Sequence, residues 1–154
     1  MKAIIIFDSF FGNTEKIAKE IKRVLSKKHE VSLVNVKDAK SCDIENYDTL
    51  IIGSPTRAFS PSENTVSFLK ELGSLDGKKF LTFDTRADIA DVPKLLGLIM
   101  KVFGYADKKI AKHLRAKGGV ELFSPRGFFV NDKEGPLKDG EIDTVQDWLK
   151  SLLK

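Results

Sequence analysis

The sequence predicts an α/β protein built on a parallel sheet, because short apolar runs alternate with amphipathic stretches of helical length. The first run, Ala3 to Phe7, is uninterrupted and too short for a buried helix, which is typical of a buried parallel strand. The stretch that starts at Thr14 has apolar residues at helical spacing, with lysines and glutamates between them. Strands that alternate with helices require right-handed crossovers and therefore a parallel sheet. The length of 154 residues and the hydrophobic content of 42% predict one domain, 1–154, with a substantial core.

The loop between the first strand and the first helix has the composition of a phosphate-binding loop. It consists of Ser9, Phe10, Phe11, Gly12, Asn13 and Thr14. A loop that leads directly into a helix N-terminus points free backbone N–H groups and the positive end of the helix dipole at one place. Gly12 lets the backbone approach closely, and Ser9, Asn13 and Thr14 add side-chain donors. Because the loop has no lysine or arginine, we expect amides and hydroxyls to hold the phosphate.

Three common phosphate sites do not match this loop. A dinucleotide site needs G-x-G-x-x-G, and only one glycine is present here. A Walker loop needs a lysine before the hydroxyl residue, and none precedes Thr14. A receiver domain needs a phosphoacceptor aspartate at the end of its third strand, where this chain has Gly53. For this loop alone, an ordinary strand–turn–helix junction stays an open alternative.

The middle of the chain predicts two more strands that end in polar loops. Val31 to Val36 alternates and predicts an edge strand, and the polar segment from Asp38 to Tyr47 predicts a loop or a short helix. The third strand, Asp48 to Gly53, leads into a loop of Ser54, Pro55, Thr56, Arg57, Ala58 and Phe59. The fourth strand, Lys79 to Phe83, leads into a loop that starts with Asp84, Thr85 and Arg86 and extends to Asp88. In an open α/β sheet the ligand crevice lies beyond such carboxyl ends.

The helices and the last strand are predicted from their caps and their periodicity. Ser60-Pro61-Ser62-Glu63 has the pattern of a capping box with proline at the first helical position, and the helix that follows would bury Val66, Leu69 and Leu72. A basic helix is expected over Ala106 to Lys117 and a fifth strand near Val120 to Phe123. Pro125 and Gly127 interrupt that strand before Phe128 to Val130 resumes it. The final helix is expected to begin near Glu141. Its inward-facing side chains are expected to be Ile142, Val145, Trp148, Leu149, Leu152 and Leu153.

These pieces, in this order, resemble the flavodoxin family over nearly the whole chain. The first loop is similar to the loop that holds the FMN phosphate, although Phe11 stands where the family generally has threonine. The strand ends Gly53 to Phe59 and Phe83 to Arg86 are similar to a flavodoxin-domain subfamily, and so are the later segments Gly127 to Val130 and Glu134 to Glu141. The resemblance implies a flavodoxin-like three-layer sandwich with a five-stranded parallel sheet in the order 2-1-3-4-5.

The resemblance also implies FMN as the cofactor. Ser9 to Thr14 would hold its phosphate, and Ser54 to Phe59 and Asp84 to Asp88 would flank the isoalloxazine ring. In flavodoxins the middle loop offers a backbone carbonyl to the flavin N5, for which Thr56, Arg57 and Ala58 are the candidates. Flavodoxins often hold the ring between tryptophan and tyrosine, whereas the only aromatic residue in these two loops is Phe59.

Three functions follow as hypotheses. The first is an FMN-binding electron-transfer protein, the second an FMN-dependent oxidoreductase acting on a quinone-like or porphyrinogen-like small molecule, and the third an interaction module without FMN. No nucleophile–base pair is visible, so no catalytic or metal-binding residue is predicted, and His29 and His113 are expected on the surface.

The loops that would flank the ring contain Arg57 and Arg86, whose charges are partly offset by Asp84 and Asp88. These arginines predict a higher reduction potential for formation of the flavin hydroquinone than in acidic electron carriers.

Charge and apolar density predict the partners. A net charge of +4 and a pI near 9.1 favour an acidic redox partner, a small-molecule acceptor or an anionic membrane surface. Nucleic acid is not expected as a partner, because no strand combines aromatic and basic residues.

The segment Val92 to Phe103 is unusually apolar and is somewhat similar to the hydrophobic insertion of membrane-associated flavodoxin-like protoporphyrinogen oxidases. It predicts one of four structures: a buried crossover helix, a homodimer interface, a cap over the flavin or a membrane contact. A single cysteine, Cys42, and the absence of a signal-peptide pattern predict a cytoplasmic protein.

Overall fold

A computed structural model describes residues 1–153 as a parallel sheet with helices on both faces. The strands are β1 (Lys2–Phe7), β2 (Glu30–Asn35), β3 (Thr49–Pro55), β4 (Lys79–Ala87), β5 (Val120–Glu121) and β6 (Arg126–Val130). The helices are α1 (Asn13–Leu25), α2 (Glu63–Glu71), α3 (Lys94–Phe103), α4 (Ala106–Ala116) and α5 (Thr144–Trp148). Short 3₁₀ helices cover Ser41–Asn46, Ile89–Asp91 and Lys150–Leu153.

The sheet has the strand order β2-β1-β3-β4-β5, all parallel, which confirms the predicted order 2-1-3-4-5. The predicted fifth strand is present as two segments, because β5 and β6 both pair with β4. Val120 lies opposite Lys79, and Arg126 lies opposite Phe83. The break between the two segments contains Pro125, which has no N–H to donate to a ladder, as the sequence predicts, whereas Gly127, also expected in the break, lies within β6 opposite Asp84.

The core consists of two apolar layers, one on each face of the sheet. Ile4 and Ile6 of β1 belong to the layer that also contains the buried residues of α2 and α4, and Ile5 and Phe7 to the layer with α1 and α5. Successive residues of a strand point to opposite faces, so a strand covered on both faces is apolar throughout. Trp148 packs edge-on against Phe128, with 6.0 Å between the ring centroids, and its prediction as a core residue is confirmed.

Several local predictions were wrong. The N-cap of α2 is Ser62, whose Oγ accepts from the N–H of Thr65, so Pro61 precedes the cap and the predicted capping box does not form. The buried face of α2 contains Phe68, whereas Val66, which was expected there, is only half-buried.

The last helix begins later than Glu141, and Ile142 is 39% exposed because it precedes the helix. His29 and His113 are half-buried, since their Nε2 atoms contact the carbonyl oxygens of Leu152 and Leu69.

The segment Val92 to Phe103 does not form a buried crossover, so that prediction was wrong. The helix that packs on the sheet between β4 and β5 is α4, while α3 is a separate exposed helix that meets the turn Ile89–Asp91. Within the described residues, no helix has both the length and the apolar character needed to cross a membrane.

Candidate functional site

A crevice of about 380 Å³ lies beyond the carboxyl ends of the central strands. It brings the three predicted loops together. The predicted residues that line it are Ser9, Phe10, Phe11, Asn13, Thr14, Pro55, Thr56, Arg57, Ala58, Thr85 and Arg86. Ser54 and Asp84 do not line it, because β3 and β4 continue beyond their predicted ends and bury both side chains. Gly12 and Phe59 also lie outside its lining.

The first loop presents unpaired amides at the start of α1. Gly12 is the N-cap residue at φ +82°, a left-handed conformation that only glycine adopts without strain, and it has no side chain with which to cap the helix. The backbone N–H groups of residues 10 to 14 have no acceptor among the described residues. Such a set of donors at a helix N-terminus suits the oxygens of a phosphate. Ser9 is held nearby, since its N–H donates to Asp8 and its Oγ accepts from the N–H of Glu15.

Two side chains of this loop are used differently from the prediction. Asn13, expected to be a free donor, donates from Nδ2 to the carbonyl of Glu134 at 2.8 Å. Gly135 packs so closely on Asn13 that a Cβ there would lie 2.4 Å from Nδ2. Thr14 is buried and shares a 2.8 Å hydrogen bond with the hydroxyl of Thr85. These contacts fix the first loop to β4 and to the segment after β6.

That segment supplies lining residues that the sequence reasoning missed. The missed residues are Val130, at the end of β6, and Lys133 and Glu134 after it, whereas Ala87, which also lines the crevice, lies within the predicted loop Asp84 to Asp88. Lys133 gives the lining an ammonium group, which the first loop lacks. The signal that could have found them was the family-like segment from Glu134 to Glu141, because it follows a strand that ends at the same edge of the sheet.

The middle loop is a tight hairpin with two residues at positive φ. The N–H of Arg57 donates to the carbonyl of Ser60 and the N–H of Ser60 to that of Arg57, both at 2.9 Å. Between them, Ala58 has φ 44° and Phe59 has φ 64°. Such turns usually contain Asn-Gly, so the pair Ala-Phe is strained. The ring of Phe59 packs on that of Phe103 with centroids 5.6 Å apart, which places it beside the crevice.

Beneath the hairpin lies a cluster of charged side chains that we call the crevice floor, formed by Asp84, Arg86 and Asp107. Arg86 Nε donates to Asp84 Oδ1 at 2.5 Å, and Nη2 forms an ion pair with Asp107 Oδ2 at 2.5 Å without hydrogen-bond geometry. Thr56 joins the floor to the hairpin, since its hydroxyl donates to Asp84 Oδ2 and accepts from the N–H of Ala106.

Burial controls the ionisation of the floor. It raises the pKa of Asp84 to about 7, although Arg86 opposes the shift. The pKa of Arg86 is raised because its two carboxylate partners outweigh its own burial. The guanidinium also stacks on Tyr105, 3.8 Å from the ring centroid, and a Cβ at Gly127 would lie 2.3 Å from its Cζ.

This arrangement corrects the prediction that two free arginines flank the crevice with Asp84 and Asp88 as partial offsets. Arg86 forms ion pairs with Asp84 and Asp107, and Asp88 forms an ion pair with Lys138, which lowers the pKa of Asp88. Arg57 alone is exposed, and its guanidinium lies 4.8 Å from the centroid of the Phe10 ring. Across residues 1–153, no group of three or more histidine, cysteine, aspartate or glutamate side chains has the arrangement of a metal site.

Comparisons with known proteins agree with this architecture. Residues 4–118 match the family described as the flavodoxin domain, while a search of curated protein sequences gave no match. Among solved structures, the chain is similar to the flavodoxin of Streptococcus pneumonia TIGR4, with a TM-score of 0.76, 16% identity, and coverage of 99% of this chain and 98% of that one. It is also similar to oxidised Flavodoxin 2 from Bacillus cereus, with a TM-score of 0.75, 21% identity, and coverage of 99% and 98%.

A larger enzyme contains the same fold. The rubredoxin oxygen:oxidoreductase of Desulfovibrio gigas is similar with a TM-score of 0.72 and 18% identity. The match covers 97% of this chain and only 34% of the enzyme, so this chain corresponds to about one third of that protein.

Proposed function

Since the chain belongs to the flavodoxin family, whose cofactor is FMN, we propose that one FMN binds in the crevice and that the protein transfers electrons to a partner. The observation that carries the proposal is the set of unpaired backbone N–H groups over residues 10 to 14 at the start of α1. Backbone amides without acceptors at the wall of a cavity are costly unless a ligand or water accepts from them, and a phosphate does so.

The other lining residues fit the rest of the cofactor. The space between the hairpin at Arg57–Ala58 and the end of β4 at Thr85–Ala87 suits a flat ring, with backbone groups of the hairpin available to its polar edge. FMN supplies the electron-transfer chemistry, while the protein positions the ring and excludes water from it. Thr14 and Thr85, joined by their hydroxyls, hold the phosphate-binding and ring-binding ends of the crevice at a fixed separation.

A second candidate is an FMN-dependent oxidoreductase for a quinone-like or porphyrinogen-like molecule. The observation in its favour is the pair of packed rings from Phe59 and Phe103, which lie outside the crevice lining and offer an apolar surface next to the hairpin for a flat substrate. On either function, the exposed segment Val92 to Phe103 is the proposed contact region for a partner, a second copy or a membrane surface, and a cytoplasmic location remains our proposal.

The test compares two glycines that have the same backbone conformation in different places. Gly12 (φ +82°) and Gly77 (φ +78°) both have open space at the Cβ position, but only Gly12 lies at the proposed phosphate site. Gly12→Val and Gly77→Val should therefore lose similar stability, about 1 to 2 kcal/mol. In a fluorescence titration of the apoprotein with FMN, we expect Gly12→Val to bind at least tenfold more weakly and Gly77→Val to bind like the parent.

The outcomes separate the hypotheses. Equal FMN affinity in the parent and both variants would place the cofactor elsewhere. A parent that does not bind FMN would favour the interaction module. If FMN binds, reduction with dithionite followed by mixing with a redox protein or with a soluble quinone distinguishes the carrier from the oxidoreductase.

A further inference from the structure

We propose that α3 and the mouth of the crevice form one docking face for a redox protein whose contact surface has an apolar centre and an acidic edge. The docking face is defined as Phe10, Arg57, Phe59 and the exposed residues of α3. The inference rests on the proposed electron-transfer function, and it adds the chemistry of the partner and the surface that meets it.

The apolar centre is a stripe along α3. Leu95 is 72% exposed, Leu98 is 60% exposed and Val102 is 72% exposed. Spacings of three and four residues place these side chains on one side of the helix. Only Gly97 and Met100 of α3 are buried, so the helix contributes little to the core. A contiguous exposed stripe of this kind in a domain with a well-filled core indicates an interaction surface.

The stripe is continuous with the crevice. Phe103, which ends α3 and is 59% exposed, packs on Phe59 of the hairpin that borders the crevice. On the hairpin, Arg57 lies against Phe10, which is 47% exposed. Aromatic and arginine side chains are enriched at the energetic centres of protein interfaces. A partner on this face would therefore lie next to the flavin edge, where electrons must leave.

The charges favour an acidic partner. Lys94 and Lys101, seven residues apart, lie along the same edge of α3. Nearby, Asp88 and Asp91 share Lys138 as their ion-pair partner, at 2.8 and 2.6 Å, so these two carboxylates offset only part of the lysine charge and the group keeps a net charge of +1. With a net charge of +4 on each chain, a second copy would be repelled through the same lysines.

Shape favours a protein over a membrane. The ten residues of α3 extend over only about 15 Å, and a flat lipid surface that meets this helix cannot also enter a concave crevice. A protein with a projecting apolar surface can contact both the stripe and the crevice mouth.

The experiment maps the face and then removes it. The probe is a rubredoxin with net negative charge, titrated into ¹⁵N-labelled protein in the apo form and with FMN. We expect amide shifts confined to Lys94–Phe103, the Arg57–Ser60 hairpin and Phe10, and we expect them to fade as salt rises. With reduced FMN, electron transfer to the rubredoxin should slow at least tenfold in Leu95→Glu/Leu98→Glu. It should be unchanged in Val120→Glu, since Val120 is 50% exposed on β5, away from the docking face.

Four results would overturn the proposal: amide shifts outside the docking face, no amide shifts at all, a double variant as fast as the parent, or a rate that rises with salt. Flotation of the parent with phosphatidylglycerol vesicles through α3 would assign the face to a membrane instead. A concentration-dependent dimer that the double variant abolishes would assign it to a second copy. Because the apo titration does not need FMN, a failure of FMN binding would refute the proposed function without deciding the docking face.

Discussion

Arg57 and Arg86 stand at the ends of neighbouring strands, yet they have opposite surroundings. Arg86 belongs to the crevice floor, where β4 continues between β3 and β6 and places Arg86 opposite Phe129. It is 9% exposed and paired with two carboxylates. Arg57 lies beyond the end of β3 in a strained hairpin, and its exposed guanidinium lies over the ring of Phe10. Pairing of neighbouring strands therefore decides which arginine holds the structure together and which is available to a partner.

The largest expected difference is in stability. Arg86→Met leaves Asp84 and Asp107 buried without their counter-charge, which should cost about 3 to 5 kcal/mol in the free energy of unfolding. Arg57→Met, the same substitution on an exposed side chain, should change it by less than about 0.5 kcal/mol. Urea unfolding of both variants at pH 7 measures the contrast. Similar costs at the two positions would show that the crevice floor is not a buried ionic cluster.

The second prediction concerns the pH dependence of the floor. Because the pKa of Asp84 is about 7 in the folded protein and near 3.8 in the unfolded chain, the folded state holds a proton that the unfolded state has lost between these values. The contribution of Asp84 to stability is therefore largest below pH 4, declines as the pH rises to 7 and then levels off.

Asp84→Asn removes this titration. Between pH 5 and 7, the parent should lose stability relative to Asp84→Asn, by at most about 1.4 kcal/mol per pH unit. Urea unfolding at several pH values gives the slopes. Parallel slopes for the two proteins would mean that Asp84 stays ionised throughout, held by Arg86 alone.

The same contrast separates what the sequence predicts from what it does not. The positions of the strands and of the crevice loops follow from apolar runs and turn residues, which are local signals, whereas the strand order was predicted only from the resemblance to the family. The partnership of Arg86 with Asp107 joins residues far apart in the chain, and nothing local encodes it. Val92 to Phe103 resembles a buried helix because of its composition, and only the packing of α4 in the crossover position leaves α3 exposed. Which loop residues face the crevice depends on where β3 and β4 end, and the sequence placed both ends too early.

A third, smaller effect is expected at the hairpin. Ala58 at φ 44° lies in a region that costs an L-residue roughly 1 to 2 kcal/mol, and asparagine tolerates this region better. Ala58→Asn should therefore stabilise the protein by about 0.5 to 1 kcal/mol, whereas the β-branched Ala58→Val should destabilise it by more than about 1 kcal/mol. Thermal or urea unfolding measures both. Equal stability of the two variants would show that the hairpin relaxes to another backbone conformation and that this side of the crevice is not strained.

The smallest effect, and the most specific to the proposed cofactor, concerns the reduction potential. A positive charge near the ring favours the reduced flavin, which carries more negative charge than the oxidised form, but only a charge that no neighbour cancels can act in this way. Of the two arginines in the loops expected to flank the ring, Arg86 is paired within the floor, so Arg57 is the one to test. Arg57→Glu should lower the potential of bound FMN by tens of millivolts, since about 59 mV corresponds to a tenfold change in a one-electron equilibrium. The shift should shrink at high salt because Arg57 is exposed.

The control is Lys70→Glu, which makes the same change of charge at the far end of α2 and should leave the potential of bound FMN unaltered. If Lys70→Glu shifts the potential as much as Arg57→Glu, net charge rather than the crevice mouth controls it, and the division of roles between the two arginines fails.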